Sequence, residues 1–187
     1  LDDIQGPVIF APTHQSYLDV PALLAALPPR WRYRIAPTMR KEFFHEHFHG
    51  HSFGNSLNYY LSALFFNAFP LPQREAGAFE TMRYMGEMAN AGWCILIFPE
   101  GKMTTAGEIA PFQPGVGMLA SKLGLPVVPV RIEGLERLLH RTWKMARRGK
   151  VRIVFGPPMK LEGGDYSALA KQVEQAVRTL RTTRGVH

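Results

Sequence analysis

Long hydrophobic runs are missing from this chain. A membrane-spanning helix needs roughly 18 or more consecutive apolar residues, and no segment supplies them. The nearest, Leu57 to Leu71, is interrupted by Asn58, Ser62, Asn67 and Pro70. It reads either as a segment resting in a membrane interface or as a core helix leading into a strand, not as a span. Cysteine is nearly absent, and the single Cys94 excludes an internal disulfide. Its setting, Cys94-Ile95-Leu96-Ile97-Phe98, fits a buried structural thiol rather than a nucleophile, and a reducing compartment is compatible with that usage. Internal repeats and low-complexity tracts are also lacking, which excludes a repeat array. No initiating methionine is present, since the first residue is Leu1. The expectation is one domain over residues 1–187, excised from a longer product, with no signal peptide visible. Acidic charge is in short supply. Lys and Arg total 22 against 15 Asp and Glu, a net charge of +7. That surplus suits nucleic acid, an acidic membrane surface or phosphorylated substrates without choosing among them. Nucleic acid is disfavoured because no identifiable strand interleaves aromatic with basic residues.

What is present is an ordinary globular balance, 46% apolar and 20% charged, in a length suited to one core. Short β-rich runs alternate with helix-length segments, which predicts a single α/β domain with a central, largely parallel or mixed sheet flanked by helices. Strands are expected at Pro7 to Pro12, Arg32 to Ala36, Trp93 to Phe98, Leu125 to Ile132 and Lys150 to Phe155. Helices are expected at Ser16 to Ala26, Asn55 to Asn67, Glu75 to Ala91, Val116 to Leu123 and Tyr166 to Thr182. The last carries Leu169, Val173, Val177 and Leu180 on one face. Arg178, Arg181 and Arg184 near its end complement the helix dipole, which accounts for part of the positive charge without a ligand.

Four segments hold the chemistry-bearing residues. In Thr13-His14-Gln15-Ser16-Tyr17-Leu18-Asp19, an apolar strand delivers a histidine where a helix begins, at the sheet edge where α/β proteins bind ligands. Ser16 as N-cap with Asp19 in the first turn resembles a capping box. The ring of His14 could fold back onto the Asp19 carboxylate, which would fix its tautomer; otherwise Asp19 only caps the helix and His14 is a surface residue. Phe98-Pro99-Glu100-Gly101-Lys102 ends a second apolar strand in a sharp turn whose glycine lets backbone N–H groups approach a ligand. Phe69-Pro70-Leu71-Pro72-Gln73-Arg74 delivers an arginine able to fork onto a phosphate, or merely solvated at a helix start. Leu125 to Ile132 carries Pro129, which demotes it from a regular central strand or marks an irregularity.

Taken in order, these segments resemble the four motif blocks of the glycerolipid and lysophospholipid acyltransferase superfamily. Those blocks are a His-four residues-Asp motif, an arginine-bearing block, Phe-Pro-Glu-Gly and a proline-containing apolar strand. They fall here at His14/Asp19, Arg74, Phe98 to Gly101, and Val128 to Ile132. The resemblance spans about residues 8 to 132, with a closing strand reaching about Pro158. The third block departs from the family's usual continuation, Thr-Arg-Ser, by having Lys102-Met103-Thr104, and Phe112-Gln113-Pro114-Gly115 replaces Phe-Lys-x-Gly. The pattern looks closer to acyltransferase domains of chains that also carry acyl-activating domains.

The resemblance implies an O-acyltransferase that moves a fatty acyl group from acyl-CoA or acyl carrier protein, its co-substrate, to a hydroxyl of a lysophospholipid or glycerol-phosphate acceptor. His14 would be the general base, oriented by Asp19. Phe98, Pro99, Glu100, Gly101 and Lys102 would line the substrate site, with N–H groups around Glu100-Gly101 stabilising an oxyanion or binding acceptor. Arg74, assisted by Lys102, would hold the acceptor phosphate. No covalent acyl-enzyme and no metal or other cofactor is implied, so the alternating His45, His47, His49 and His51 are not expected to bind metal. A cytoplasmic enzyme peripheral on an anionic membrane fits this set. The alternatives are a hydrolase that uses the same pair on water, and a basic membrane-binding module whose His14 is silent.

Overall fold

A computed structural model describes residues 4–16, 18–40, 69–71, 77–104, 108–135 and 149–180. Among the described residues six strands form one sheet: β1 (Ile9–Pro12), β2 (Ile35–Arg40), β3 (Phe69–Leu71), β4 (Cys94–Leu96), β5 (Val127–Glu133) and β6 (Arg152–Phe155). Their order is β3-β2-β4-β1-β5-β6, and every pairing is parallel except β5 with β6. Val8, Ile9, Phe10 and Ala11 are fully buried, the signature of a central parallel strand covered on both faces.

Alternation along the strands assigns side chains to two cores. Phe10, Leu96, Val128 and Val130 pack with Leu23 and Leu27 of the segment holding α1 (Asp19–Ala26), and with Trp31 of α2 (Pro29–Arg32). Phe10 meets Trp31 and Phe155 edge-on, at centroid separations of 6.0 and 6.3 Å. Ile9, Ala11, Ile95 and Val127 pack on the other face. Their partners are Met85 of α3 (Gly77–Asn90), Leu119 and Ala120 of α4 (Gly115–Leu123), and Val173 and Val177 of α5 (Tyr166–Thr179). Each of the Val, Leu, Ile, Phe and Met side chains among these stabilises the fold by roughly 1.5–3 kcal/mol on burial.

The two cores define the place of the site. The chain leaves β1 for α1 on one face, and leaves β4 for α4 on the other. Because β1 and β4 are parallel neighbours, a crevice opens between their carboxyl ends, the topological switch point where such sheets take ligands.

Several boundaries differ from the sequence reading. Arg32 ends helix α2 rather than starting a strand, because Pro29 at the first helical position favours a turn of helix there. The strand then begins at Ile35. Helix α1 begins at Asp19, with Leu18 as N-cap, not at Ser16. Only part of a capping box forms: the Asp19 carboxylate accepts from Ser16 N–H, while Ser16 Oγ accepts from Leu18 N–H rather than from Asp19. Helix α5 ends at Thr179, where Leu180 adopts an extended ψ of 95°. Pro129 does not demote β5, which lies inside the sheet between β1 and β6. Its missing N–H falls on the β6 side, opposite Gly156 just beyond that strand's last residue, and Gly156 N–H still donates to Pro129 O at 2.8 Å. The helix expected at Asn55 to Asn67, the histidines at positions 45 to 51 and most of Leu57 to Leu71 lie outside the described residues.

Candidate active site

Beyond β1 the chain stays in sheet register for one more residue. Thr13 N–H donates to Val130 O, and Thr13 Oγ1 both accepts from Ile132 N–H at 3.1 Å and reaches Ile132 O at 3.3 Å. The fully buried Thr13 thereby fixes the start of the next residue, His14, against β5.

His14 and Asp19 meet. The ring Nδ1 lies 2.9 Å from Asp19 Oδ2, with 23% of the histidine side chain exposed and the aspartate side chain fully buried. The same Oδ2 accepts Gln15 N–H at 2.7 Å and Ser16 N–H at 2.9 Å. Three donors thus converge on one carboxylate oxygen, compensating the burial of its charge. Among the described residues Oδ1 has no partner, nor does the buried Gln15 Oε1. With Nδ1 engaged by Asp19, Nε2 is the nitrogen left to accept a proton; it has no hydrogen-bond partner among the described residues.

The exit of β4 supports this pair. Phe98 stacks on the His14 ring at a centroid separation of 4.0 Å and an interplanar angle of 25°. Pro99 is buried and its carbonyl accepts Gln113 N–H at 2.7 Å. Glu100 is 2% exposed, and its carboxylate is committed internally. Oε1 accepts His14 N–H and Oε2 accepts Ala110 N–H, each at 2.8 Å. Burial pushes this carboxyl above its ordinary range, against the opposing pull of the Ala110 and His14 N–H groups, the His14 charge and the Thr104 hydroxyl. Gly101 has φ of +71°, so the turn suits glycine. Its N–H donates to Phe98 O at 3.1 Å, which removes that N–H from the set expected to stabilise an oxyanion. Lys102 is exposed just past the turn. Arg74 lies outside the described residues.

Downstream, the connection to α4 is pinned to α5. Glu174 accepts Phe112 N–H at 3.0 Å, and Arg178 donates to both Glu174 Oε1 and Ile109 O. Although burial works the other way, the Phe112 N–H and Arg178 hold the Glu174 carboxyl below its ordinary range. Cys94 is buried in β4 and its thiol is pushed up by that burial, despite the Val8 backbone contact and the Arg34 charge. This matches the structural reading of its sequence. No group of three or more His, Cys, Asp or Glu side chains converges among the described residues.

His14, Asp19, Phe98 and Glu100 therefore come together from two loops 86 residues apart. Sequence reading missed Thr13, Thr104 and Ala110. Thr104 donates to His14 O through both N–H and Oγ1, at 2.8 and 3.1 Å. A threonine a few residues after a turn carries no signal of a partner 90 residues upstream.

Known proteins resemble this chain in sequence and fold. Residues 2–133 match the family model described as Acyltransferase. The chain is 29% identical over 177 residues to human 1-acyl-sn-glycerol-3-phosphate acyltransferase beta, covering 92% of this chain and 59% of that protein. It is 31% identical over 110 residues to the lyso-ornithine lipid O-acyltransferase of Pseudomonas aeruginosa, covering 50% and 43% respectively. Among solved structures, the 1-acyl-sn-glycerophosphate (LPA) acyltransferase PlsC of Thermotoga maritima superposes with a TM-score of 0.70 at 25% identity, covering 94% of this chain and 65% of that one. The chain thus spans less than two thirds of the length of these relatives.

Proposed function

This chain belongs to the acyltransferase family, and from that premise we propose that it carries a fatty acyl group from acyl-CoA or acyl carrier protein to a hydroxyl of a lysophospholipid or glycerol-phosphate acceptor. The observation that carries this reading is the His14 Nδ1–Asp19 Oδ2 contact of 2.9 Å at the switch point of the sheet. Asp19 holds the tautomer that has its proton on Nδ1. Nε2 then removes the proton from the acceptor hydroxyl as its oxygen bonds to the thioester carbonyl carbon. When the tetrahedral adduct collapses, the carbon–sulfur bond breaks and the imidazolium returns its proton to the thiolate leaving group. The Asp19 carboxylate beside Nδ1 offsets the charge that develops on the ring. Transfer in this reading is direct, without an acyl-enzyme, because Nε2 activates the acceptor hydroxyl itself.

Phe98 forms one wall of the site and keeps the ring from rotating. Glu100 acts from behind it by fixing the His14 peptide. Arg74 and the exposed Lys102 hold the acceptor phosphate, and the reaction needs no metal or cofactor. The enzyme works as a peripheral protein on the cytoplasmic side of an anionic membrane; no helix of the described residues is long and apolar enough to cross one.

Matched acceptors test the assignment, using lysophosphatidate and monoacylglycerol with a long-chain acyl-CoA and analysis of lipid products. Phosphatidate should form, faster than diacylglycerol and equally well with EDTA present. Arg74→Ala should raise the Michaelis constant for lysophosphatidate about ten- to a hundredfold, with less effect on turnover. Thiol release that yields only free fatty acid would move the assignment to hydrolysis. Equal loss of the Arg74→Ala variant on both acceptors would remove the phosphate role.

A further inference from the structure

His14 is held by its ring and by both ends of its backbone. Asp19 takes Nδ1, and Glu100 takes the peptide N–H. The carbonyl is taken by Thr104, whose N–H donates to His14 O at 2.8 Å and whose Oγ1 lies 3.1 Å from it. The same hydroxyl is 2.7 Å from Glu108 O. The hydroxyl therefore lies between two carbonyls, one on the β1 exit and one on the loop leading to α4, and it also reaches the Glu100 carboxyl. Thr104 is half-buried, and its bonds span the crevice where the β1 and β4 exits diverge to opposite faces of the sheet.

We propose that Thr104 is a positioning residue for acyl transfer, acting through the His14 carbonyl to set where the imidazole stands relative to Asp19 and the acceptor. The inference rests on His14 being the general base. Geometry gives its reason. The peptide N–H of His14 and its carbonyl flank the same Cα, so a donor on one and an acceptor on the other fix the backbone from which the ring projects. Glu100 restrains only the N–H side. Without the Thr104 hydroxyl, the carbonyl side keeps one bond from an N–H whose own loop has lost its tie to Glu108. A base displaced by a fraction of an ångström loses rate without losing affinity, because alignment matters only as the proton moves.

Thr104→Val keeps the branched shape and the backbone N–H while deleting the hydroxyl, and Thr104→Ser restores the hydroxyl. Steady-state kinetics with lysophosphatidate and long-chain acyl-CoA, beside thermal unfolding and a His14→Ala control, decide the matter. The expected result is a kcat about tenfold lower for Thr104→Val, both Michaelis constants within about twofold of the parent, and recovery of most of the rate by Thr104→Ser. Unchanged kcat in a folded Thr104→Val protein, beside an inactive His14→Ala, would overturn the positioning role alone. A rate loss that tracks a lowered melting temperature, with Thr104→Ser no better than valine, would overturn it as well. Near-parental turnover by His14→Ala would bring down the underlying reading instead.

Discussion

At the scale of single residues, the sequence offered His14 and Asp19 as a pair but left open whether Asp19 only capped the helix and His14 was a surface residue. Asp19 both accepts the turn's N–H groups and holds the ring. One oxygen receives the imidazole together with Gln15 and Ser16 N–H groups, so the turn that starts α1 is also what aims the ring. Glu100 was legible as part of the Phe-Pro-Glu-Gly turn that would line the substrate site. Its destination was not, because the N–H groups it binds belong to His14 and Ala110, and neither distance is encoded locally. Its burial has a measurable consequence. A carboxyl whose pKa is raised on folding holds its proton more tightly in the native chain than in the unfolded one. Its contribution to stability is therefore fully present below the ordinary carboxylate pKa and is lost as pH rises through the raised value. Urea unfolding of the parent and of Glu100→Gln from about pH 4 to about pH 8 should show the parent losing ground to the variant as pH rises. A stability difference that is flat, or that grows in the parent's favour, would mean that the carboxylate is not penalised by its burial.

At the scale of elements, the apolar strands and the long amphipathic helix α5 were legible because their periodicities are strong. Leu169, Val173 and Val177 all reach the core as their spacing requires. The misses have physical causes. Pro28-Pro29 starts a short helix that takes in Arg32, the residue read as the start of a strand. Pro129 looked like a breaker, yet β5 tolerates it because the opposing position is Gly156. A Cβ there would come within 2.7 Å of the proline ring. Close approach also governs α4 against α5. A Cβ on Gly117 would stand 2.5 Å from Tyr166 O and 2.8 Å from Leu169 Cβ, whereas one on Gly86 of α3 would meet only Leu123 Cδ2 at 3.4 Å. Gly117→Ala should therefore destabilise by about 1–3 kcal/mol through overpacking. Gly86→Ala should be neutral or stabilising by up to roughly 1 kcal/mol through helix propensity. Denaturant unfolding of the two variants compares them directly, and equal midpoints would show that α4 and α5 can separate at no cost.

At the scale of the molecule, the parallel sheet, its two cores and the divergence of β1 and β4 explain why one histidine and one glutamate distant in sequence share a crevice. The net charge of +7 gives that molecule a preference among surfaces. Vesicles of phosphatidylglycerol and phosphatidylcholine should bind it at low salt and release much of it near 1 M salt, where the screening length falls to about 3 Å. Equal binding to purely zwitterionic vesicles would remove the electrostatic basis of that docking. We take the crevice as one active site whose base is His14. The most direct test of that assignment is the rate of phosphatidate formation from lysophosphatidate and acyl-CoA by His14→Ala, with circular dichroism to establish that the variant is folded. The expected rate is lower by about a hundred- to ten-thousandfold at an unchanged fold, with Asp19→Asn falling between that variant and the parent. A folded His14→Ala protein turning over near the parental rate would contradict it.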